Sequence, residues 1–283
     1  MSSDLSLVPL VNFDSEVKIV RFNNDVILRP IDDAELQRIK KTFPPSQSFL
    51  IRALSNVKYG LEMKAEMIVN GQRIAPIYAT NLPNVTNTIL ALRLLKAGKV
   101  SPSCAVLLKQ NQVASLSQSM QSFFTSDNPY YLKKEEIPEL KEIWKKVINI
   151  ENEKPDLRFP LFRFNKTFDG KDTNPILEHM ITFESLVFHG EKNSIGPAGN
   201  VIGIAIGMLI GKNQQERDTI KKSLIKASKI RNALVHGNLE KIKKYQDDFF
   251  KTSIEIEDYL RRALRKLVEE EVIEETAKKQ ENK

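Results

Sequence analysis

Cysteine and histidine are nearly absent from this chain, with one of the former and three of the latter in 283 residues. A lone Cys104 excludes an intramolecular disulfide and any cysteine-rich zinc site, and three histidines leave little from which to build a metal centre. Cys104 lies in an apolar run, where a buried structural thiol is expected rather than a nucleophile. Long hydrophobic runs are missing too: the longest, residues 201–210, is too short to span a bilayer, so no membrane partner is expected. Residues 1–10 contain Asp4 and no basic stretch, which argues against a signal or transit peptide and for a cytoplasmic protein. Nothing resembles a Walker pattern, and neither a cofactor nor a metal is called for. With 41% apolar and 28% charged residues, the composition is that of a soluble globular protein rather than a disordered or coiled-coil one.

Positive charge is plentiful in one place only. Residues 212–244 hold ten Lys or Arg against three acids, a local +7 that equals the net charge of the whole chain. The other 250 residues sum to zero. A concentrated basic stripe of this kind is the footprint of a docked phosphate backbone.

The length admits two domains, and composition shifts at the polar stretch 149–156, which contains Pro155. We therefore expect an α+β N-terminal domain over residues 1–155 and an all-α helical bundle over 156–283. In the first, short β-branched runs at 17–20 and 26–28 flank the turn Asn23-Asn24-Asp25. Asp32 can cap a helix over 33–41, and alternation over 59–69 followed by Asn70-Gly71 reads as a hairpin into 73–80. Helices are expected over 82–96 and 135–148, with a strand at 105–108, giving a small antiparallel sheet. No catalytic constellation stands out there. In the second, Asn174-Pro175 starts a helix with the apolar face Ile176, Met180, Phe183 and Val187. A helix over 197–211 carries Gly199, Gly203, Gly207 and Gly211 four apart, which predicts a close helix crossing rather than a phosphate loop. A third helix spans 214–236, and a fourth is expected to run unbroken from 241 to 276, on the order of 50 Å.

The end of the third helix reads Ile230-Arg231-Asn232-Ala233-Leu234-Val235-His236-Gly237. On a helical wheel Ile220, Leu224, Ala227, Leu234 and Val235 share a face, and Arg231 falls inside it. Asn232, His236, Lys222, Lys226 and Lys229 lie round the other side. An arginine on an apolar face needs a carboxylate or a subunit seam, and Glu184 and Glu178 are the natural partners. Metal-free RNA cleavage needs a base for the 2′-hydroxyl, a cation for the charged phosphorane and an acid for the leaving 5′-oxygen. Arg231, Asn232 and His236 can supply these, yet one histidine cannot be base and acid at once. Two copies meeting across this helix would complete the set, a chemical reason to expect a homodimer. Lys222, Lys226 and Lys229 are the expected contacts to RNA phosphates. A histidine followed by glycine is also a common way to finish a helix, and His189-Gly190 repeats it.

Over residues 161–237 the chain resembles the Apea-like branch of the HEPN family (higher eukaryotes and prokaryotes nucleotide-binding). The likeness rests on Phe162-Arg163-Phe164-Asn165, on Ile181-Thr182-Phe183-Glu184-Ser185-Leu186, and on Arg231-Asn232 through His236-Gly237. Val26-Ile27-Leu28-Arg29-Pro30-Ile31 is similar, more loosely, to segments that precede such domains. The resemblance implies a dimerising helical bundle and a metal-independent endoribonuclease, in defence or RNA processing, with Arg231, Asn232 and His236 catalytic and Glu184 supporting Arg231. The alternative that the resemblance leaves open is a non-catalytic RNA- or nucleotide-binding module acting through a partner, though the complete Arg231, Asn232 and His236 set favours the enzyme. Many relatives carry a tyrosine where this chain has Ser228, which withdraws a stacking contact to a base.

Overall fold

The computed structural model describes residues 5–44, 46, 48–64, 67–69, 72–74, 83–109, 112–118, 129–169, 174–188 and 197–270. The chain divides into two units, residues 1–148 with 168–171, and residues 149–167 with 172–283. The division falls after Ile148, within the helix Ile137–Glu153, so the polar residues 149–153 belong to that helix and are not a linker.

The first unit is α+β. Its strands are β1 (Leu5–Val11), β2 (Phe13–Ser15), β3 (Val20–Arg21) and β4 (Val26–Pro30), followed by helices α1 (Asp33–Lys41) and α2 (Ser48–Ala53). Next come β5 (Tyr59–Lys64), β6 (Met67–Val69), β7 (Gln72–Ile74), α3 (Pro83–Leu95), β8 (Ser101–Pro102), β9 (Cys104–Lys109), β10 (Gln112–Gln118), β11 (Tyr130–Leu132) and α4 (Ile137–Glu153). The main sheet is antiparallel in the order β10-β9-β1-β5-β4-β3, with β8 also on β1. The expected turn between β3 and β4 is held by the Asn23 carboxamide, which accepts from the amides of Asp25 and Val26 at 2.8 Å. Asp32 caps α1 by accepting from the Glu35 amide at 2.7 Å, so the helix begins where cap chemistry requires. Arg29 grips Glu35 of α1 and Glu62 of β5 at 2.8 and 2.6 Å, tying helix to sheet.

The expected long strand 59–69 is two strands in different sheets. β5 pairs with β1 and β4, while β6 and β7 pair with each other across Asn70-Gly71, which lies outside the described residues. The buried centre of the sheet, β1, carries no clear sequence signal because Pro9 interrupts it. Pro9 is accommodated opposite Gly60, and its carbonyl accepts from the Ser103 amide and hydroxyl, both at 3.0 Å. Cys104 is fully buried in the core among Leu7, Val11, Val106 and Ile39, and burial pushes its thiol up to about 12, leaving it inert near neutrality.

The second unit is helical: α5 (Arg158–Lys166), α6 (Pro175–Phe188), α7 (Ala198–Ile210), α8 (Gln214–Val235), α9 (Leu239–Tyr245) and α10 (Phe249–Glu269). Asn174 starts α6 as expected, its side chain accepting from the Ile176 amide at 3.0 Å, and Asn213 does the same for α8 through Glu216 at 2.9 Å. His189-Gly190 lies outside the described residues. The fourth helix is not unbroken. A 3-10 turn at Gln246–Asp248 separates α9 from α10, so the apolar spacing of Tyr245, Phe249 and Thr252 runs across a change of helix type, and the expected end at 271–276 lies outside the described residues. Among the described residues no helix is long and apolar enough to cross a membrane.

The α7–α8 crossing is as close as the glycine spacing predicts. A methyl group at Gly199 would meet Ser228 Cβ at 2.5 Å, at Gly203 the Lys221 Cα at 3.0 Å, and at Gly207 the Arg217 carbonyl at 3.1 Å. The far end of α7 is fixed by cations: Arg262 donates to the Ile210 carbonyl at 2.9 Å and Lys266 to Leu209 at 2.8 Å, complementing the helix dipole.

His179 of α6 is fully buried, and neither ring nitrogen has a hydrogen-bond partner. Burial lowers it to about 4, so the folded chain keeps it neutral while an unfolded histidine takes a proton near 6.5. Its contribution is therefore lost as pH falls from about 6.5 toward 4, a cost of about 2–3 kcal/mol. His179→Leu should flatten the pH dependence of the melting temperature in that window. A constant difference between wild type and variant from pH 7 to 4.5 would contradict this.

Candidate functional site

The last turn of α8 ends in a two-bond glycine cap. The Gly237 amide donates to the Leu234 carbonyl at 3.2 Å and the Asn238 amide to Ala233 at 2.9 Å, with Gly237 at φ +61°. That left-handed position favours glycine and turns the chain sharply into α9, whose cap is Asn238 accepting from the Lys241 amide at 3.0 Å. His236 is the residue at this corner, exposed, with backbone at φ −91°, ψ 3°.

The buried face of α8 is Ile220, Leu224, Ala227, Ile230 and Ala233. The sequence expectation placed Leu234 and Val235 on it, but Leu234 is half-buried and Val235 is 51% exposed. Gly199, in the first turn of α7, lies against Ser228, so the last two turns of α8 run past the start of α7 while Ile230 and Ala233 stay buried. Arg231 stands at the edge of this core, with its side chain 27% exposed. Its guanidinium donates from Nη1 to the Asn232 carboxamide at 3.1 Å and lies 3.6 Å from the Glu184 carboxylate through Nη2. Nε is buried without a hydrogen-bond partner. Of the two carboxylates expected to serve Arg231, Glu184 does so, whereas Glu178 accepts from Arg163 of α5 at 2.6 Å. Sequence reasoning missed that pair because α5 was not read as a helix.

The three lysines differ. Lys222 and Lys229 are exposed. Lys226 is half-buried and paired with Asp248 at 2.7 Å, a contact made by the turn between α9 and α10 that the sequence did not announce. Ser228 faces the glycine of α7, so its small size belongs to the crossing and a tyrosine would not fit there. Lys241, Lys243 and Lys244 of α9 are exposed on the far side of the corner, and Leu239 beside them is 71% exposed. Among the described residues no group of three His, Cys, Asp or Glu is placed to hold a metal ion.

Chemically, the corner offers an oriented guanidinium, a carboxamide and a solvent-facing imidazole bracketed by lysines. No family model matches the chain, and neither a curated protein nor a solved structure matches it.

Proposed function

We propose that this chain is a metal-independent endoribonuclease of the HEPN type whose active site is half-built on each copy and completed in a homodimer. Support comes from one observation above the rest: Arg231, Asn232 and His236 lie in the last turns of one helix, with Arg231 held by Glu184 and Asn232 while His236 is exposed. In the reaction the RNA 2′-hydroxyl loses its proton to one imidazole and its oxygen attacks the adjacent phosphorus. The P–O5′ bond breaks, and a second, protonated imidazole delivers a proton to the leaving oxygen. The products are a 2′,3′-cyclic phosphate and a 5′-hydroxyl. Arg231 stabilises the charge gathered on the phosphorane oxygens, and Asn232 holds Arg231 and offers an amide donor. RNA cleavage in defence or processing is the corresponding cellular role.

A competing reading, an RNA- or nucleotide-binding module with a structural motif, draws on the Glu184 contact to Arg231. Arg231→Ala separates the two. A partly exposed ion pair at 3.6 Å contributes little, about 1 kcal/mol or less. Under our proposal the variant keeps its melting temperature within a few degrees and loses cleavage by about a hundredfold. A large drop in melting temperature would favour the structural motif.

A further inference from the structure

We propose that the strip of α8 left exposed among the described residues is a track for one strand of RNA, leading its phosphates over Lys222 and Lys229 to His236. This rests on the RNA-cleaving reading and adds the form of the substrate and its path.

The strip is defined by what covers the rest of the helix. α7 packs along Arg217, Lys221, Ile225 and Ser228. On the other flank α10 and the turn before it meet Ser223 through Glu255 at 3.2 Å and Lys226 through Asp248 at 2.7 Å. Between these flanks lie Lys222, Lys229 and His236, all exposed. They are seven residues apart, close to two helical turns, so they fall nearly on one line with a spacing of roughly 10 Å. No acidic residue occurs in the sequence between Asp218 and Glu240, so along this line a phosphate chain meets no carboxylate of α8. Asp218, one turn before Lys222 and exposed, ends the track. Lys226 is withdrawn from it by Asp248.

One row of cations fits one backbone. The line from Lys222 to His236 is about 21 Å long, enough for about six stacked nucleotides at roughly 3.4 Å each, or fewer if extended. Duplex RNA is instead gripped across successive grooves by contacts on both strands. The chemistry agrees, because attack in line with the leaving oxygen requires a backbone free to rotate, which a paired A-form strand lacks. Backbone tracking is indifferent to base sequence, so this part of the site selects strandedness and not sequence.

The test measures salt-dependent binding of a labelled 2′-O-methyl oligouridine of about twelve nucleotides, which cannot be cleaved, to wild type, to Lys222→Gln/Lys229→Gln and to Lys251→Gln, an exposed lysine of α10. The double variant should lose about tenfold in affinity near physiological salt, and its log–log salt slope should shrink by about 1.4, the value for two phosphate contacts on a single strand. Lys251→Gln should match wild type. A double variant with unchanged slope, while wild-type protein binds and cleaves RNA, overturns the track and leaves the nuclease reading standing. Duplex bound as tightly as single strand also overturns the track. Wild-type protein that neither binds nor cleaves RNA overturns both.

Discussion

Gly203→Val is expected to lower the melting temperature by about 10–15 °C, a loss of about 3–4 kcal/mol. A first side-chain carbon at Gly203 already meets the Lys221 Cα at 3.0 Å and its carbonyl at 3.1 Å, and valine adds two more carbons with little rotamer freedom. Backbone cannot swing aside as a lysine tip can, so α7 and α8 must separate. Their separation exposes Ile202 and Ile206, which are buried, and removes the support under the first three turns of α8. Gly203→Ala should cost much less, because alanine recovers roughly 1 kcal/mol of helix propensity against its own clash. Differential scanning calorimetry of the two variants checks the ordering. Equal melting temperatures for Gly203→Val and wild type would mean that the crossing is looser than the contacts indicate.

The same crossing explains what the sequence could and could not announce about the site. Glycines four apart in an apolar helix signal a close backbone approach, and the structure supplies α8 as the helix that makes it. The cap at Asp32 and the Asn174-Pro175 start were legible for a similar reason: a short polar side chain beside the first free amides acts locally and needs no tertiary partner. β1 was not legible. Pro9 and Ser6 break its pattern, and only the strands on either side make Leu5–Val11 the centre of a sheet.

The break between α9 and α10 escaped notice because hydrophobic spacing carries no information on whether the backbone stays helical through Gln246–Asp248. That break matters for the site. It positions Asp248 to pair with Lys226, which charge and helical position had placed among the expected RNA contacts. Charge balance did point to a carboxylate for Arg231, but two were available. Charge alone left both open, the resemblance favoured Glu184, and the structure pairs Glu184 with Arg231 and Glu178 with Arg163. Likewise Ser228 looked like a missing tyrosine and is the small residue that the Gly199 contact demands.

His236→Ala carries the largest expected effect on function. The side chain is exposed at the helix end and the backbone cap is made by Gly237 and Asn238, so its removal should leave stability within about 0.5 kcal/mol of wild type. In a homodimer one substitution removes both imidazoles, the base and the acid together. General acid–base catalysis is worth about 10²–10⁴ in rate, so a loss of about a thousandfold or more is expected. Retention of the fold in the same variant distinguishes lost chemistry from lost structure.

The most direct measurement is therefore cleavage of a single-stranded RNA by purified wild type and His236→Ala in the presence of EDTA, with the product ends identified by mass. The account predicts cleavage by wild type in EDTA, products ending in 2′,3′-cyclic phosphate and 5′-hydroxyl, and about a thousandfold slower cleavage by a folded His236→Ala. Equal cleavage by the two proteins, or none by either, would contradict it.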